Sequence, residues 1–131
     1  NLRDWANAEA VTARVDRFLA SEVAEVAEVS EASGSPADPY HEATVLLDPP
    51  RAGAGAGVVQ AIAALAPRTV IYVACDPVAL ARDTATFEAE GYELRDLRAL
   101  DLFPNSHHVE AIAVFDRAAA RAATGSVASP R

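Results

Sequence analysis

The sequence contains a single cysteine and no lysine among its 131 residues. One cysteine cannot form a disulfide within the chain, which favours a reducing, cytoplasmic setting. No apolar run is long enough to cross a membrane, and the first ten residues show no signal-peptide pattern. We therefore expect a cytoplasmic domain, or part of one.

The charge of the chain is strongly acidic. The chain has eleven basic residues, all arginines, and 19 aspartates and glutamates, which gives a formal net charge of -8. Such a surface repels phosphate backbones, which argues against a nucleic-acid-binding module acting alone. The length and the 51% of hydrophobic residues suit one domain with one core.

Apolar segments separated by proline, glycine and polar residues predict the order of the elements. A helix tail is predicted over residues 1–10, a short strand over 11–19 from a weak alternation, and a surface helix over 20–32. Further on, strands are predicted over 43–50, 68–75, 92–103 and 107–117, and helices over 57–67 and 76–91. This order predicts an α/β fold with a mainly parallel sheet, followed by a low-complexity tail over 117–131.

Two polar motifs lie at the carboxyl ends of predicted strands, the sheet edge where α/β proteins bind ligands. In the first, "DPPR", two prolines stiffen the turn between Asp48 and Arg51. A rigid carboxylate there can accept hydrogen bonds from a flat ligand, or it can simply cap the next helix. The glycines that follow have Val58 where a dinucleotide-binding loop needs its third glycine, which favours a flexible helix entry over a phosphate cradle.

The second motif, "CDP", places Cys75 immediately before Asp76 and Pro77, a typical helix start. The helix dipole favours an anion at this position, so Cys75 is a candidate nucleophile. Arg82, two turns later, could add positive charge or grip a phosphate. The alternative is a buried, inert cysteine, because lone cysteines in apolar strands usually pack in cores.

Glu110 lies among apolar residues of the last predicted strand. Burying an unpaired carboxylate is unfavourable, so Glu110 should lie at an exposed strand start or be poised to move a proton. The three histidines, His41, His107 and His108, do not form a recognisable metal site.

Three blocks taken together, "LLDPPRAG", "IYVACDPVALARD" and "GYELRDLRALDLFPNSHHVEAIAVF", resemble the C-terminal part of the RNA 5-methyluridine (uracil-C5) methyltransferase family. The resemblance covers residues 43–116 and implies a partial class I, Rossmann-like fold that uses S-adenosylmethionine. It implies that Cys75 is the nucleophile, Glu110 the general base and Asp48 the acid beside the cofactor. Arg51, Arg82 and Asp83 match motif residues that shape the substrate pocket. Ala74 departs from the serine common before the nucleophile.

These residue types suit methylation of uracil, because C5 is too weak a nucleophile to take a methyl group unaided. A thiolate that adds to C6 activates C5, and a carboxylate then removes the C5 proton. The base must be flipped out of its stack to reach such a site.

The first strands of a class I sheet, with their glycine-rich cofactor loop, are not recognisable before residue 43. We therefore expect residues 1–116 to be the C-terminal portion of a longer catalytic domain whose upstream regions bind transfer or ribosomal RNA. The isolated chain should be inactive, and its "TVLLD" strand should present an open edge that favours self-association.

Two alternatives remain open at this point. One is a non-catalytic, methyltransferase-like interaction domain, which the missing cofactor loop favours and the Cys75–Glu110 set opposes. The other is an unrelated thiol enzyme with His107 or His108 as its base, which would leave "DPPR" unexplained.

Overall fold

A computed structural model describes residues 6–35, 38–102 and 109–118. Along the chain the elements of these residues are α1 (Val15–Ser33), β1 (Thr44–Leu47), α2 (Ala56–Ala64), β2 (Thr69–Ala74), α3 (Pro77–Ala89), β3 (Tyr92–Leu100) and β4 (Glu110–Arg117). None of these helices has the length and hydropathy needed to span a membrane. Most of the predicted tail lies outside the described residues, so the division at residue 116 stays a prediction.

The strands form one sheet in the order β1-β2-β4-β3. β1 and β2 are parallel, as expected for strands joined through a helix. β4 is antiparallel to both β2 and β3. The α/β class is confirmed, but the expectation of a mainly parallel sheet is wrong for the described strands. β4 lies between β2 and β3 in the sheet and runs antiparallel to both.

The core lies between one face of the sheet and the helices. Alternate residues of β2 and β4 are buried, and Val70 pairs with Phe115 while Tyr72 pairs with Ala113. Phe87 of α3 stacks on Phe115 with ring centroids 4.8 Å apart. Because the period of a strand is two, the intervening residues face the other side of the sheet, where they are only partly buried: Ile71, Val73, Ile112 and Val114.

Helix α1 begins earlier than predicted. Residues 6–14 are irregular, so neither the helix tail nor the short strand predicted before residue 20 is present there. The alternation that predicted a strand has no buried face, because Val11 and Val15 are both more than half exposed. Leu19, Val23 and Val26 instead lie at helical spacing and pack against the core beside α2.

Helix α3 begins as its sequence predicts. The Asp76 side chain accepts a hydrogen bond of 2.8 Å from the amide of Ala79, and Pro77 is the first helical residue. Gly91, with φ of 87°, follows the helix end and leads into β3. This cap fixes the direction in which the chain leaves Cys75.

Candidate active site

Cys75 and Glu110 lie at neighbouring strand ends. Cys75 directly follows β2, and Glu110 is the first residue of β4. The last pair of the antiparallel register joins Ala74, the end of β2, to Ala111 of β4. Cys75 and Glu110 are the residues next to this pair, at the same edge of the sheet. Both residues are partly buried, so neither side chain is sealed in the core.

Asp48 directly follows β1 at the same edge of the sheet, because β1 and β2 are parallel. Its carboxylate is exposed. It lines a cleft of about 500 Å³ between the start of α1 and the end of β1. Also along this cleft are Arg14, Val15, Asp16, Leu46, Leu47, Pro49, Pro50, Gly53, Ala54 and Val58.

The "DPPR" segment lies against the segment that contains Cys75. Pro49, Pro50 and Arg51 line a narrow crevice together with Cys75 and Asp76. The Gly53 amide donates to the Pro50 carbonyl over 2.8 Å, which closes a tight turn after the prolines. The two motifs that the sequence placed at strand ends are therefore next to each other.

Asp83 is fully buried on α3, at 0% exposure, and its carboxylate faces the loop of residues 51–55. Its Oδ2 accepts hydrogen bonds from the amide of Ala54 at 2.7 Å, the hydroxyl of Tyr72 at 2.7 Å and the amide of Gly55 at 3.3 Å. Its Oδ1 accepts from the Arg82 guanidinium at 3.1 and 3.2 Å. Both oxygens of the buried carboxylate are therefore satisfied.

The pKa values of Asp83 and Tyr72 move in opposite directions. Burial by itself would raise the pKa of Asp83, but the hydrogen bonds from Tyr72, Gly55, Ala54 and Arg82 outweigh it and lower that pKa. Burial and the hydrogen bond to Asp83 together raise the pKa of Tyr72. The pair is therefore a carboxylate and a neutral phenol at neutral pH.

This geometry separates Asp83 from the other predicted pocket residues. Arg51 and Arg82 are exposed, although Arg82 also donates to the Ala52 carbonyl at 2.6 Å. Asp83 has no exposed surface in this chain, because the loop of residues 51–55 covers it, and its place among the substrate-binding residues stays a prediction.

Two backbone amides of the glycine-rich loop also have hydrogen-bond partners inside the protein. Ala54 and Gly55 donate to Asp83, so these two N–H groups point into the protein and not towards a bound phosphate. This arrangement agrees with a helix entry and disfavours the phosphate cradle.

Tyr72 is a part of the site that the sequence reasoning missed. A signal was available, because Tyr72 lies at an inward-facing position of a buried strand, where its hydroxyl must find a partner. Sequence alone does not say which residue that partner is.

The histidines do not provide a base for Cys75 within the described residues. His41 lies in the turn before β1, at the end of the sheet opposite to Cys75. His107 and His108 lie outside the described residues.

A family model described as tRNA (uracil-5-)-methyltransferase matches residues 10–118, most of the chain. The chain belongs to this family. The match includes both strand-end motifs and the β4 segment, so the resemblance seen in the three sequence blocks is confirmed.

Similar proteins come from several bacteria. The chain is 60% identical over 73 residues to an uncharacterized RNA methyltransferase of Bifidobacterium longum, covering 56% of this chain and 17% of that protein. It is 52% identical over 73 residues to the 23S rRNA (uracil(1939)-C(5))-methyltransferase RlmD of Aliivibrio salmonicida, covering 56% and 16%. The chain thus spans less than a fifth of the length of these relatives.

A solved structure supports the fold. The tRNA (uracil-54, C5)-methyltransferase of Pyrococcus abyssi, in complex with S-adenosyl-L-homocysteine, aligns with a TM-score of 0.50 and 27% identity. The alignment covers 73% of this chain and 26% of that protein. The expected partial Rossmann-like methyltransferase fold is therefore confirmed.

Proposed function

We propose that this chain is the C-terminal part of an RNA (uracil-C5) methyltransferase, with Cys75 as nucleophile and Glu110 as general base. The observation that supports the proposal is the register of β2 and β4, whose last pair, Ala74 and Ala111, directly adjoins Cys75 on one side and Glu110 on the other. Membership of the family and the RNA methyltransferase names of its relatives support it.

The residues present fit one side of a cofactor site. The cleft beside β1 has a volume of about 500 Å³, within the range of small-molecule pockets, and the exposed Asp48 carboxylate lines it. A carboxylate there can accept hydrogen bonds from a ligand and favours a cation. S-Adenosylmethionine, when bound, would supply the methyl group as a sulfonium.

In the proposed reaction, the Cys75 thiolate forms a bond to C6 of the uracil, and the C5–C6 π electrons move towards C5 and the O4 carbonyl. S-Adenosylmethionine bound beside Asp48 would supply the methyl group to the activated C5, and its sulfur would keep the electron pair of the broken bond as a neutral thioether. The Glu110 carboxylate removes the C5 proton, the C5–C6 double bond reforms, and the sulfur–C6 bond breaks to regenerate the thiolate.

The remaining parts of the enzyme are proposed to come from outside this chain. Upstream regions would complete the cofactor site and bind the RNA, because the acidic chain by itself repels phosphates. The isolated chain would be inactive and would self-associate through the edge of β1. We propose a cytoplasmic location, where Cys75 would stay reduced.

The test uses the full-length protein that carries this chain, with 5-fluorouridine RNA and ordinary RNA. Wild type should form a denaturation-resistant adduct on 5-fluorouridine RNA, and Cys75→Ala should form none. Glu110→Gln should lower turnover by about 10²–10⁴-fold and accumulate the adduct on ordinary RNA, because the C5 proton stays in place.

The matched control is Glu88→Gln, which removes an exposed carboxylate near the far end of α3. It should leave turnover and adduct formation at the wild-type level. An adduct that still forms in Cys75→Ala would refute the assignment of the nucleophile.

A further inference from the structure

The buried carboxylate of Asp83 connects three parts of the protein. It lies on α3 and accepts hydrogen bonds from the hydroxyl of Tyr72 on β2 and from two backbone amides of the loop of residues 51–55. Tyr72 lies on β2, three residues before Cys75, and the loop directly follows the "DPPR" prolines. The network therefore joins the strand that presents Cys75 to the loop that presents Arg51.

The loop lies so close to the carboxylate that position 53 has no room for a side chain. A Cβ atom added to Gly53 would lie 2.5 Å from Asp83 Oδ2 and 2.6 Å from an Arg82 guanidinium nitrogen. Gly53 also has φ of 80°, a conformation that side chains disfavour. The backbone at Gly53 thus lies directly against the Asp83 carboxylate, and a shift of the loop would break charge-assisted hydrogen bonds.

Arg82 lies on the solvent side of the Asp83 carboxylate. Its guanidinium donates both to Asp83 Oδ1 and to the Ala52 carbonyl, so it compensates the buried charge and holds the loop at a second point. A fully buried charge is unfavourable unless it is paired in this way. Because hydrogen bonds are directional, those made to the two carboxylate oxygens fix the orientation of the loop, which a hydrophobic contact could not do.

We propose that Asp83, together with Tyr72, is a positioning residue that holds the loop of residues 51–55 against the Cys75 segment. On the proposed function, this sets the distance between the "DPPR" turn and the thiolate, and so controls how fast Cys75 adds to a bound uracil. Asp83 itself touches neither the RNA nor the cofactor.

The variants are Asp83→Asn, which replaces one accepting oxygen by an NH₂ group, and Tyr72→Phe, which removes one donor and keeps the carboxylate. Tyr92→Phe is the matched control, because Tyr92 is also buried and donates its hydroxyl to the Pro67 carbonyl, away from the loop. Protection of the α1 amides against hydrogen exchange reports whether each variant is folded.

The first readout, amide hydrogen exchange in the full-length protein, does not depend on activity. Exchange at Ala54 and Gly55 should become about tenfold faster or more in Asp83→Asn, less so in Tyr72→Phe, and unchanged in Tyr92→Phe. Unchanged exchange in both folded variants would overturn the proposal. If Asp83→Asn does not fold, Tyr72→Phe decides alone.

The second readout is the rate of adduct formation on 5-fluorouridine RNA. Asp83→Asn should slow it by about 10- to 100-fold with little change in KM for RNA, whereas Tyr92→Phe should match wild type. A rise in KM at an unchanged rate would show that Asp83 acts on RNA binding and would overturn the proposal. If wild type formed no adduct, the proposed function would fail, and the exchange rates would still decide whether Asp83 holds the loop.

Discussion

All three tyrosines of this chain, Tyr40, Tyr72 and Tyr92, are held as neutral phenols by their surroundings, for different reasons. A hydrogen bond to Glu22 is the main cause that raises the pKa of Tyr40 to about 12. Burial raises the pKa of Tyr92 to about 12, and burial together with Asp83 raises that of Tyr72. Each phenol therefore resists ionisation only while the fold is intact.

This predicts a measurable titration. Free tyrosine ionises near pH 10, so between about pH 10 and 12 the folded chain holds protons that the unfolded chain loses. The stability from these phenols is therefore fully present below about pH 10 and is lost as the pH rises through the folded pKa values. Tyrosinate absorbance should appear near pH 12 in buffer and near pH 10 in denaturant; coincident curves would contradict the buried phenols.

The type of a residue does not by itself determine whether its side chain is buried or exposed. Cys75 and Asp48 were recognised because they follow apolar runs at strand ends. Asp83 was assigned to the pocket through a motif, but its burial depends on a loop that lies some 30 positions earlier in the sequence. Its type and neighbours in sequence fit an exposed helix residue equally well.

Among the elements, α3 is the one whose start is encoded most locally. Asp76 caps it, Pro77 supplies the fixed φ of the first turn, and Cys75 directly precedes both. All three signals act over a few residues, which is why sequence predicted them. Helix α1 lacks a side-chain cap at Arg14, and its start was missed.

The cap gives a prediction for stability. Asp76→Ala should lower the free energy of unfolding by about 0.5–2 kcal/mol, because the Ala79 amide loses its partner. Asp76→Asn, which can still accept that bond, should lower it by less. Urea denaturation of the three proteins measures the difference, and equal losses for both variants would show that charge and not capping matters.

At the scale of the whole molecule, the sheet has an exposed edge. β1 pairs only with β2 among the described strands, and Leu46 at its centre is 68% exposed. The face of the sheet away from the helices is apolar and only partly buried at Ile71, Val73, Ile112 and Val114. An open edge beside an apolar face is a template for pairing with another chain.

We expect the isolated chain to self-associate at high concentration through β1. Leu46→Lys should shift sedimentation towards the monomer, because a charged residue on an edge strand opposes strand addition. Leu97→Lys is the control, since Leu97 is also exposed at 54% but lies on β3, at the other edge. A wild-type chain that stays monomeric at high concentration would contradict the expectation.

The sequence by itself determined the strand ends, the cap of α3 and the residue types at the sheet's rim, because these depend on local periodicity and on proline and glycine. Only the tertiary structure decided that β4 lies antiparallel between β2 and β3, which brings Glu110 and Cys75 to the same edge of the sheet. It also decided that Asp83 is buried beneath the loop. Both outcomes depend on contacts between residues far apart in the chain, and no local pattern specifies which distant partner a strand or a carboxylate will meet.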